Sequence, residues 1–427
     1  MIVADSHTQR TVEAVWRIES PRVIAGLARM VRDVGLAEDF AQEALVAALE
    51  QWPESGVPDN PGAWLVAIGK RRAIDHLRRT DMVQRKHEEL RRELELHKQV
   101  PDLGEAIEDD VGDDLLRLMF VASHPVLSQE ARVALTLRLL GGLTTEEIAH
   151  AFLVPQATLA QRIVRAKRTL AEARVPFEMP YAGERAARLS SVLEVIYLIF
   201  NEGYSATAGE EWVRPELCEE ALRLGRILAE LASEEPEVHG LVALMEIQAS
   251  RLRARIGPAG EPVLLLDQDR ARWDQLLIRR GLAALERAEK LSRALGPYAL
   301  QAAIAACHAR ARTAAETDWQ RIVALYDALS QIAPSPIVEL NRAVAVAMAF
   351  GPTEGLELID AVASDPSLKG YYLLPSVRGD LLARLGRFDE AQHEFELAAS
   401  LTRNARVRDL LVRRAAACRR ELVSPPP

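Results

Sequence analysis

Residues 139–170, LLGGLTTEEIAHAFLVPQATLAQRIVRAKRTL, restrict the fold more than any other stretch of this chain. Thr144 and Glu147 have the spacing of a capping box directly after the Gly141-Gly142 loop, which predicts a helix start. Ile148, Ala149 and Phe152 supply its inward face, and Leu153-Val154 break the pattern. Pro155 fits the first turn of a second helix, where a missing N–H is no loss. In that helix Leu159, Ile163, Ala166 and Leu170 recur at steps of four, three and four, one buried stripe. The opposite side carries Thr158, Gln161, Arg162, Arg165 and Arg168, and no carboxylate lies between Gln156 and Leu170. The short turn, the cap and an unbroken cationic face together give a helix-turn-helix, whose second helix suits a DNA major groove. The blander alternative, a helical hairpin with a solvated basic face, accounts for the charges but not for their coincidence with the turn and cap.

At 427 residues the chain is expected to form two or three domains. Its 53 lysines and arginines against 62 acids leave a net charge of −9, unlike a free-standing DNA binder. Either a partner supplies the electrostatics or only local patches touch nucleic acid. Cys218, Cys307 and Cys418 lie far apart without C-x-x-C pairing, against both a disulfide framework and a zinc site. MIVADSHTQR has no apolar signal core, and the run from Val192 to Phe200 is short and interrupted by Glu194, so a cytoplasmic protein with no membrane span is expected. Helical periodicity dominates and period-two alternation is rare, so the fold class is all-α. No P-loop, nucleophile elbow, dinucleotide fingerprint or metalloprotease helix is present, and the histidines lack ligand spacing. No catalytic residue, metal or cofactor is expected.

Near the N-terminus, residues 36–52 read as a helix with Ala41, Leu45, Ala48, Leu49 and Trp52 inside and Asp39, Gln42, Glu43 and Val46 on another face. Taken alone, those acids need only be solvated, with a favourable helix dipole for Glu38 and Asp39. A loop is expected from Pro53 to Asp59, then a helix with Asn60 as N-cap and Pro61 at N1. That helix interleaves Trp64, Leu65, Ile68, Ile74 and Leu77 with Lys70, Arg71, Arg72, Arg78 and Arg79, against one acid, Asp75. Cations beside aromatic and polar loop groups are equipment for single-stranded DNA. Asp75 is also spaced to pair with Arg71 and Arg79 along the helix, and Trp64 fits a core position.

The segments DVGLAEDFAQEALVAALEQW and NPGAWLVAIGKRRAIDHLRR resemble the second conserved region of extracytoplasmic-function sigma factors, and SQEARVALTLRLLGGLTTEEIAHAF with TLAQRIVRAKRTL resembles their fourth. The resemblance covers roughly the first 170 residues. It implies core RNA polymerase and promoter DNA as partners. Asp39, Gln42 and Glu43 would dock on the polymerase clamp helices. Asn60, Trp64, Lys70, Arg71, Arg72, Arg78 and Arg79, with the preceding loop, would engage the −10 element. Gln156, Thr158, Gln161, Arg162, Arg165, Lys167 and Arg168 would read −35. Ala157 and Ala160 depart from the longer polar side chains common at such positions. The resemblance also accounts for the acidic net charge, since the polymerase would hold the protein on DNA.

On this reading residues 8–80 form the region 2-like domain, 81–113 a linker ending in an acidic tether, 114–174 the helix-turn-helix domain and 175–427 a helical extension. The extension begins with an apolar helix ending at NEGYSAT, and helices are expected at 216–232, 239–256 and 275–295. A degenerate repeat then aligns Ile322, Tyr326 and Leu329 with Gly355, Ile359 and Val362, and with Ala391, Phe395 and Ala398; Ala343 and Gly379 hold the small-residue position of the partner helices. The pattern resembles tetratricopeptide helix pairs, which stack into protein-binding surfaces. Similar FNEGYSA and DQDRxxWD segments occur in sigma factors with such a tail. Asn201-Glu202-Gly203-Tyr204 is read as a capped helix end with a buried Tyr, and Asp267, Asp269 and Asp274 as ion-paired with Arg270 and Arg272.

The expected function is a sigma factor whose extension tunes its activity through the polymerase or through intramolecular contact with its own sigma domains. The alternative is a polymerase-independent helix-turn-helix regulator with a tetratricopeptide-like interaction domain.

Overall fold

The computed structural model describes the backbone of residues 2–91 and 111–423, and the side chains of 10–79 and 112–422. Most of the linker expected at 81–113 therefore lies outside the described residues. Among these, the regular structure is helical apart from one short parallel strand pair, and no helix is long and apolar enough to cross a membrane. The chain divides into two compact units, residues 1–195 and 196–427.

The first unit holds α1 (Ile2–Val31), α2 (Val34–Ser55), α3 (Pro61–Arg91), α4 (Val111–Ala122), α5 (Gln129–Leu139), α6 (Thr145–Ala151), α7 (Gln156–Glu172) and the first part of α8 (Ala182–Tyr204). The hub is α1, a helix whose buried Val23, Ile24, Ala25, Leu27 and Ala28 serve its neighbours. In α3, Gly69 lets the Leu27 side chain come within 2.8 Å of where a Cβ would stand. The start of α2 is fixed by Asp33, whose carboxylate accepts from the Leu36 N–H at 2.9 Å. The helix runs through Pro53 and ends before Gly56, which at φ +80° adopts the left-handed conformation glycine allows. The loop is thus shorter than residues 53–59. Ala41, Ala48 and Trp52 are buried as their spacing requires, but Leu49 is 41% exposed, and Phe40 and Ala44 take the inner positions instead.

The capping box forms at α6: the Glu147 N–H donates to Thr144 Oγ1 (3.1 Å), and the Thr144 N–H to Glu147 Oε2 (2.7 Å). Pro155 is the residue just before α7, and Leu159, Ile163, Ala166 and Leu170 are its buried stripe. Gly142 has φ +65°, and a Cβ there would stand 3.0 Å from Ser20 Oγ and 3.3 Å from the Arg17 backbone. The loop before the helix-turn-helix therefore lies directly on α1.

The second unit continues with β1 (Ala208–Gly209), α9 (Pro215–Leu231), α10 (Pro236–Ala249), α11 (Gln275–Leu291), α12 (Pro297–Arg310), α13 (Trp319–Ile332), α14 (Pro336–Ala349), α15 (Pro352–Val362), α16 (Leu373–Arg384), α17 (Phe388–Leu401), β2 (Arg403–Asn404) and α18 (Ala405–Val423). Successive helices pack on one another in a helical-repeat arrangement. The small residues sit where close approach needs them: a Cβ on Gly355 would stand 2.4 Å from Ala347 Cβ and 2.8 Å from the Ala343 carbonyl. Gly379 likewise lies against the Phe395 ring. The pattern begins earlier than residue 322, because Gly281, Leu285 and Ala288 are buried on α11 with the same steps of four and three, Gly281 against Ile247 and Ala243. β1 and β2 pair in parallel, joining the two ends of this unit. The buried Asn404 amide donates to the carbonyls of Ala206 (3.2 Å) and Glu211 (2.7 Å).

The acids beside Arg270 and Arg272 form no ion pairs with them. Asp269 caps a turn through the Ala271 N–H, and Asp274 caps α11 through the N–H groups of Leu276 and Leu277. Arg270 instead donates to the carbonyls of His308 and Ala311 at the end of α12 and to Thr317 Oγ1. A helix C-terminus exposes unpaired carbonyl acceptors, and the Arg270 guanidinium donates to these rather than to the acids beside it in sequence.

Candidate nucleic-acid interface

α7 carries the first candidate surface. Gln156, Thr158, Gln161, Arg165 and Arg168 are exposed, and Arg162 is half-buried. The helix has no acid in its first turn and no side-chain cap, so its first N–H groups and positive dipole end are unopposed. Arg162 acts on Glu130 of α5, whose carboxyl is held below its ordinary value by its own backbone N–H, then by the Ser128 hydroxyl, with Arg162 adding to both. Arg168 pairs with Glu172 one turn on, at 2.8 Å, both side chains exposed. Exposure, sign and the polar Gln and Thr groups fit a surface that meets phosphates and base edges.

Lys167 is placed differently. Its Nζ lies 2.6 Å from Glu38 Oε2 and 3.5 Å from Asp39 Oδ1, both on α2. Arg138 of α5 reaches the other oxygen of the same carboxylate, with Nε 2.6 Å from Glu38 Oε1. The Glu38 side chain is only 4% exposed. A buried acid between two cations thus ties the second helix of the helix-turn-helix to the helix that carries Asp39, Gln42 and Glu43. Arg17 of α1 adds a surface pair to Glu147 (2.7 Å), and Arg29 meets the buried Asp114 of α4 (3.3 Å). Composition and periodicity did not single out Glu38 and Arg138. The only signal was an acid on the inner side of α2, where an isolated helix would place an apolar residue.

α3 carries the second surface. Asn60 caps it, accepting from the Ala63 N–H at 3.0 Å. Trp64 is half-buried and packs edge-on against buried Trp52, centroids 5.4 Å apart, so it serves the core and keeps one side open. Arg71, Arg78 and Arg79 are exposed and have no ion-pair partner among the described residues, and Asp75 does not pair with them. Lys70 is half-buried, and Arg72 meets Glu43 of α2 at 3.3 Å. The cationic face of α3 is thus largely uncompensated.

Between the two lies a third kind of surface on α2. Asp39 and Glu43 are exposed, Gln42 is half-buried, and Val46 (52% exposed) and Leu49 (41%) project beside them. This face thus combines acidic, polar and apolar side chains and lacks the cations of α3 and α7.

The described residues include no group of His, Cys, Asp and Glu arranged to hold a metal ion. Cys218, Cys307 and Cys418 are buried free thiols; burial is the main cause that raises each, Cys218 to about 12.

Comparison with known proteins follows this geometry. A family model described as sigma-70 region 2 matches residues 16–82, and one described as sigma-70 region 4 matches residues 117–170. A family of unknown function (DUF6596) matches residues 188–289. The probable ECF RNA polymerase sigma factor SigI of Mycobacterium tuberculosis is 27% identical over 174 residues, 41% of this chain and 59% of that protein. The uncharacterized protein R00370 of Rhizobium meliloti (strain 1021) is 45% identical over 390 residues, 90% of either chain. The sigma-70 family is a non-catalytic class of transcription factor. The chain belongs to one family with R00370, and it carries an ECF-type sigma-70 domain pair, regions 2 and 4, fused to a large additional helical domain.

Proposed function

We propose that this protein binds core RNA polymerase through Asp39, Gln42 and Glu43 of α2, with Val46 and Leu49 beside them, and directs it to promoters. The loop before Asn60, with Trp64, Lys70, Arg71, Arg72, Arg78 and Arg79, engages the −10 element. Gln156, Thr158, Gln161, Arg162, Arg165, Lys167 and Arg168 engage −35. The observation that carries this reading is the pair of cationic helix faces, α3 and α7, on a chain of net charge −9, flanking one acidic and apolar helix face. Two such patches on an anionic protein hold DNA weakly by themselves, because affinity scales with the phosphates neutralised. A larger assembly supplies the rest.

The Glu38–Lys167 contact gives the compact form a consequence. While Lys167 is paired with Glu38 and Asp39, that end of α7 and the start of the α2 face occupy each other. Loading onto polymerase separates them. The helical extension modulates this step by acting on the polymerase or on the sigma-like part.

Transcription reconstituted from the full chain, core polymerase and a promoter library tests the reading. Promoter-dependent transcripts are expected, lost with Arg162→Ala/Arg165→Ala and with Asp39→Ala/Glu43→Ala. Promoter binding without polymerase, equal in affinity to binding with it, would instead establish an autonomous regulator. To test the extension, a truncation is better placed after Val195 than after Arg174. Arg188 donates to the Phe120 carbonyl (2.7 Å) and Glu194 pairs with Arg132 (3.0 Å), so residues up to 195 belong to the first unit. Unchanged transcription from that truncation would remove the modulating role.

A further inference from the structure

Tyrosine is scarce in this chain, 7 residues in 427, and all but the exposed Tyr181 gather in the second unit. They come from α8, the start of α12, α13 and the turn before α16. Tyr197 meets Tyr298 edge to face, centroids 5.4 Å apart. Tyr197 also lies near enough to Tyr326 and Tyr371 to raise their phenols, after burial as the main cause, Tyr326 to about 12. Tyr371 and Tyr372 are neighbours at 6.3 Å, and Tyr372 feels Arg255. The Arg255 guanidinium lies 3.7 Å from the Tyr204 ring centre, with Trp212 at 5.1 Å. Beneath it, Arg251 donates from Nη2 to the Tyr204 hydroxyl at 2.8 Å.

Two features separate this cluster from a structural core. The first is charge. Most other half-buried and buried arginines of the unit meet carboxylates: Arg214 with Glu202, Arg226 with Glu246, Arg342 with Asp327, Arg378 with Asp360 and Glu394, and Arg414 with Asp380; Arg270 instead donates to the carbonyls at the end of α12. Arg251 and Arg255 meet none among the described residues, only a hydroxyl, a carbonyl and aromatic rings. Arg251 is 7% exposed, and its pKa is lowered first by burial, with Arg255 and Arg270 adding repulsion. A buried cation without a counter-charge is costly, and a protein that keeps one has a use for an anion there. The second feature is hydrogen bonding. The hydroxyls of Tyr326, Tyr371 and Tyr372 have no partner among the described residues, and none of them is fully enclosed, so each half-buried ring keeps a free polar edge. Phe would supply the same apolar bulk, so the phenols add polar edges that packing alone does not require, beside the enclosed, unpartnered Nε atoms of Arg251 and Arg255.

We propose that this face is a binding site for a small organic anion, its carboxylate or phosphate on Arg255 and Arg251 and its flat unsaturated body among Tyr197, Tyr326 and Tyr371. Guanidinium groups held against rings present a planar, pre-set fork to an oxyanion. Free phenols then select a ligand with both an aromatic face and polar edges. Tyr197, Tyr204, Arg251 and Arg255 fall within the stretch matched by the family of unknown function, residues 188–289. The site belongs to the second unit alone, so it stands or falls separately from promoter recognition by the first.

Calorimetry and thermal melting of the full chain test this with phenyl phosphate and benzoate, using inorganic phosphate and phenol as half-ligands. Saturable binding of at least one aromatic anion is expected, with a raised melting temperature and clearly weaker binding of both half-ligands. Arg255→Met should weaken that binding about tenfold or more, the loss of a charge-assisted hydrogen bond in a dry site. Tyr372→Phe, which keeps the ring, should weaken it roughly three-fold and leave the unliganded melting temperature unchanged. If Arg255→Met fails to fold, Tyr372→Phe and Tyr326→Phe decide. Absence of saturable binding by either aromatic anion at millimolar concentration overturns the proposal. So does equal binding by all variants, or inorganic phosphate binding as tightly as phenyl phosphate.

Discussion

Two buried charges, one in each unit, are treated in opposite ways, although the second unit also holds matched pairs such as Glu246 with Arg226 and Arg280. In the first, the carboxylate of Glu38 is enclosed and each oxygen meets a cation, Arg138 on one side and Lys167 on the other. In the second, the guanidinium of Arg251 is enclosed and no acid faces it among the described residues. A matched centre defines how helices sit, because removing one member strands the others. An unmatched centre adds little to the fold, and its charge remains available to something outside the chain. The difference therefore separates a contact that organises structure from one that awaits a ligand.

The largest effect expected from that contrast is on Glu38. Glu38→Ala leaves Arg138 and Lys167 facing each other, and should cost about 2–3 kcal/mol, somewhat below the cost of breaking a wholly buried pair because both cations can hydrate. Their side chains are 18% and 19% exposed. Urea denaturation of the full chain, read by a probe in α2 such as Trp52 fluorescence, measures it. A loss below about 0.5 kcal/mol, the range of surface pairs, would mean that the centre organises nothing.

Acid sharpens the same comparison in the second unit. Burial, then the charges of Arg251 and Arg270, push His308 down from 6.5 to about 3. The imidazole is therefore neutral in the fold while the unfolded chain takes up a proton below pH 6.5. Stability from this group is complete above that value and falls as pH drops toward the folded pKa. The loss by pH 5 amounts to about 2 kcal/mol. His308→Leu should flatten that part of the pH–stability curve; an unaltered slope between pH 7 and 5 would mean that the histidine is not held between those cations. His124 in the first unit is lowered to about 4, by partial burial and then Arg188. Its half-exposed ring makes its contribution smaller.

Arg251→Met should change stability by no more than about 1 kcal/mol in either direction, since an apolar side chain of similar length replaces a cation that lacks a counter-charge. Chemical denaturation without added ligand measures this. A loss approaching that of Glu38→Ala would show that Arg251 holds the fold, and the two centres would then be alike.

Much of this arrangement was legible in the residues. The capping box at Thr144 and Glu147, the stripe from Leu159 to Leu170 and the repeat positions Gly355 and Gly379 are local or periodic, so short-range spacing reveals them. The same steps at Gly281, Leu285 and Ala288 were present too, but the longer spacing to the next repeat hid them. What spacing does not carry is partner choice across the chain. Glu38 and Lys167 are 129 positions apart, and nothing near either one announces the other. Leu49 looked internal because its helix was read alone, whereas Phe40 and Ala44 fill that side once α1 and α3 pack on it. The expected pairs around Arg270 failed for a related reason: the carbonyls that end α12 lie closer than the acids beside it in sequence.

Two neighbours on α7 provide the finest test. Lys167 and Arg168 are adjacent cations, both assigned to the promoter surface, but only Lys167 is bound to the buried carboxylate. Arg168 has a solvent-exposed partner one turn away, its own side chain 77% exposed. Arg168→Ala should therefore cost no more than about 0.5 kcal/mol of stability, the worth of an exposed i,i+4 pair. Lys167→Ala removes half of the matched centre and should cost more. On DNA the expectation differs. If both side chains reach phosphates once the polymerase has separated α7 from α2, each substitution lowers the salt dependence of promoter binding by about one counterion. Salt titration of holoenzyme–promoter binding with the two variants separates the roles. A reduced slope for Arg168→Ala alone would make Lys167 a residue of the closed form only, and the promoter surface would then end one helical turn earlier.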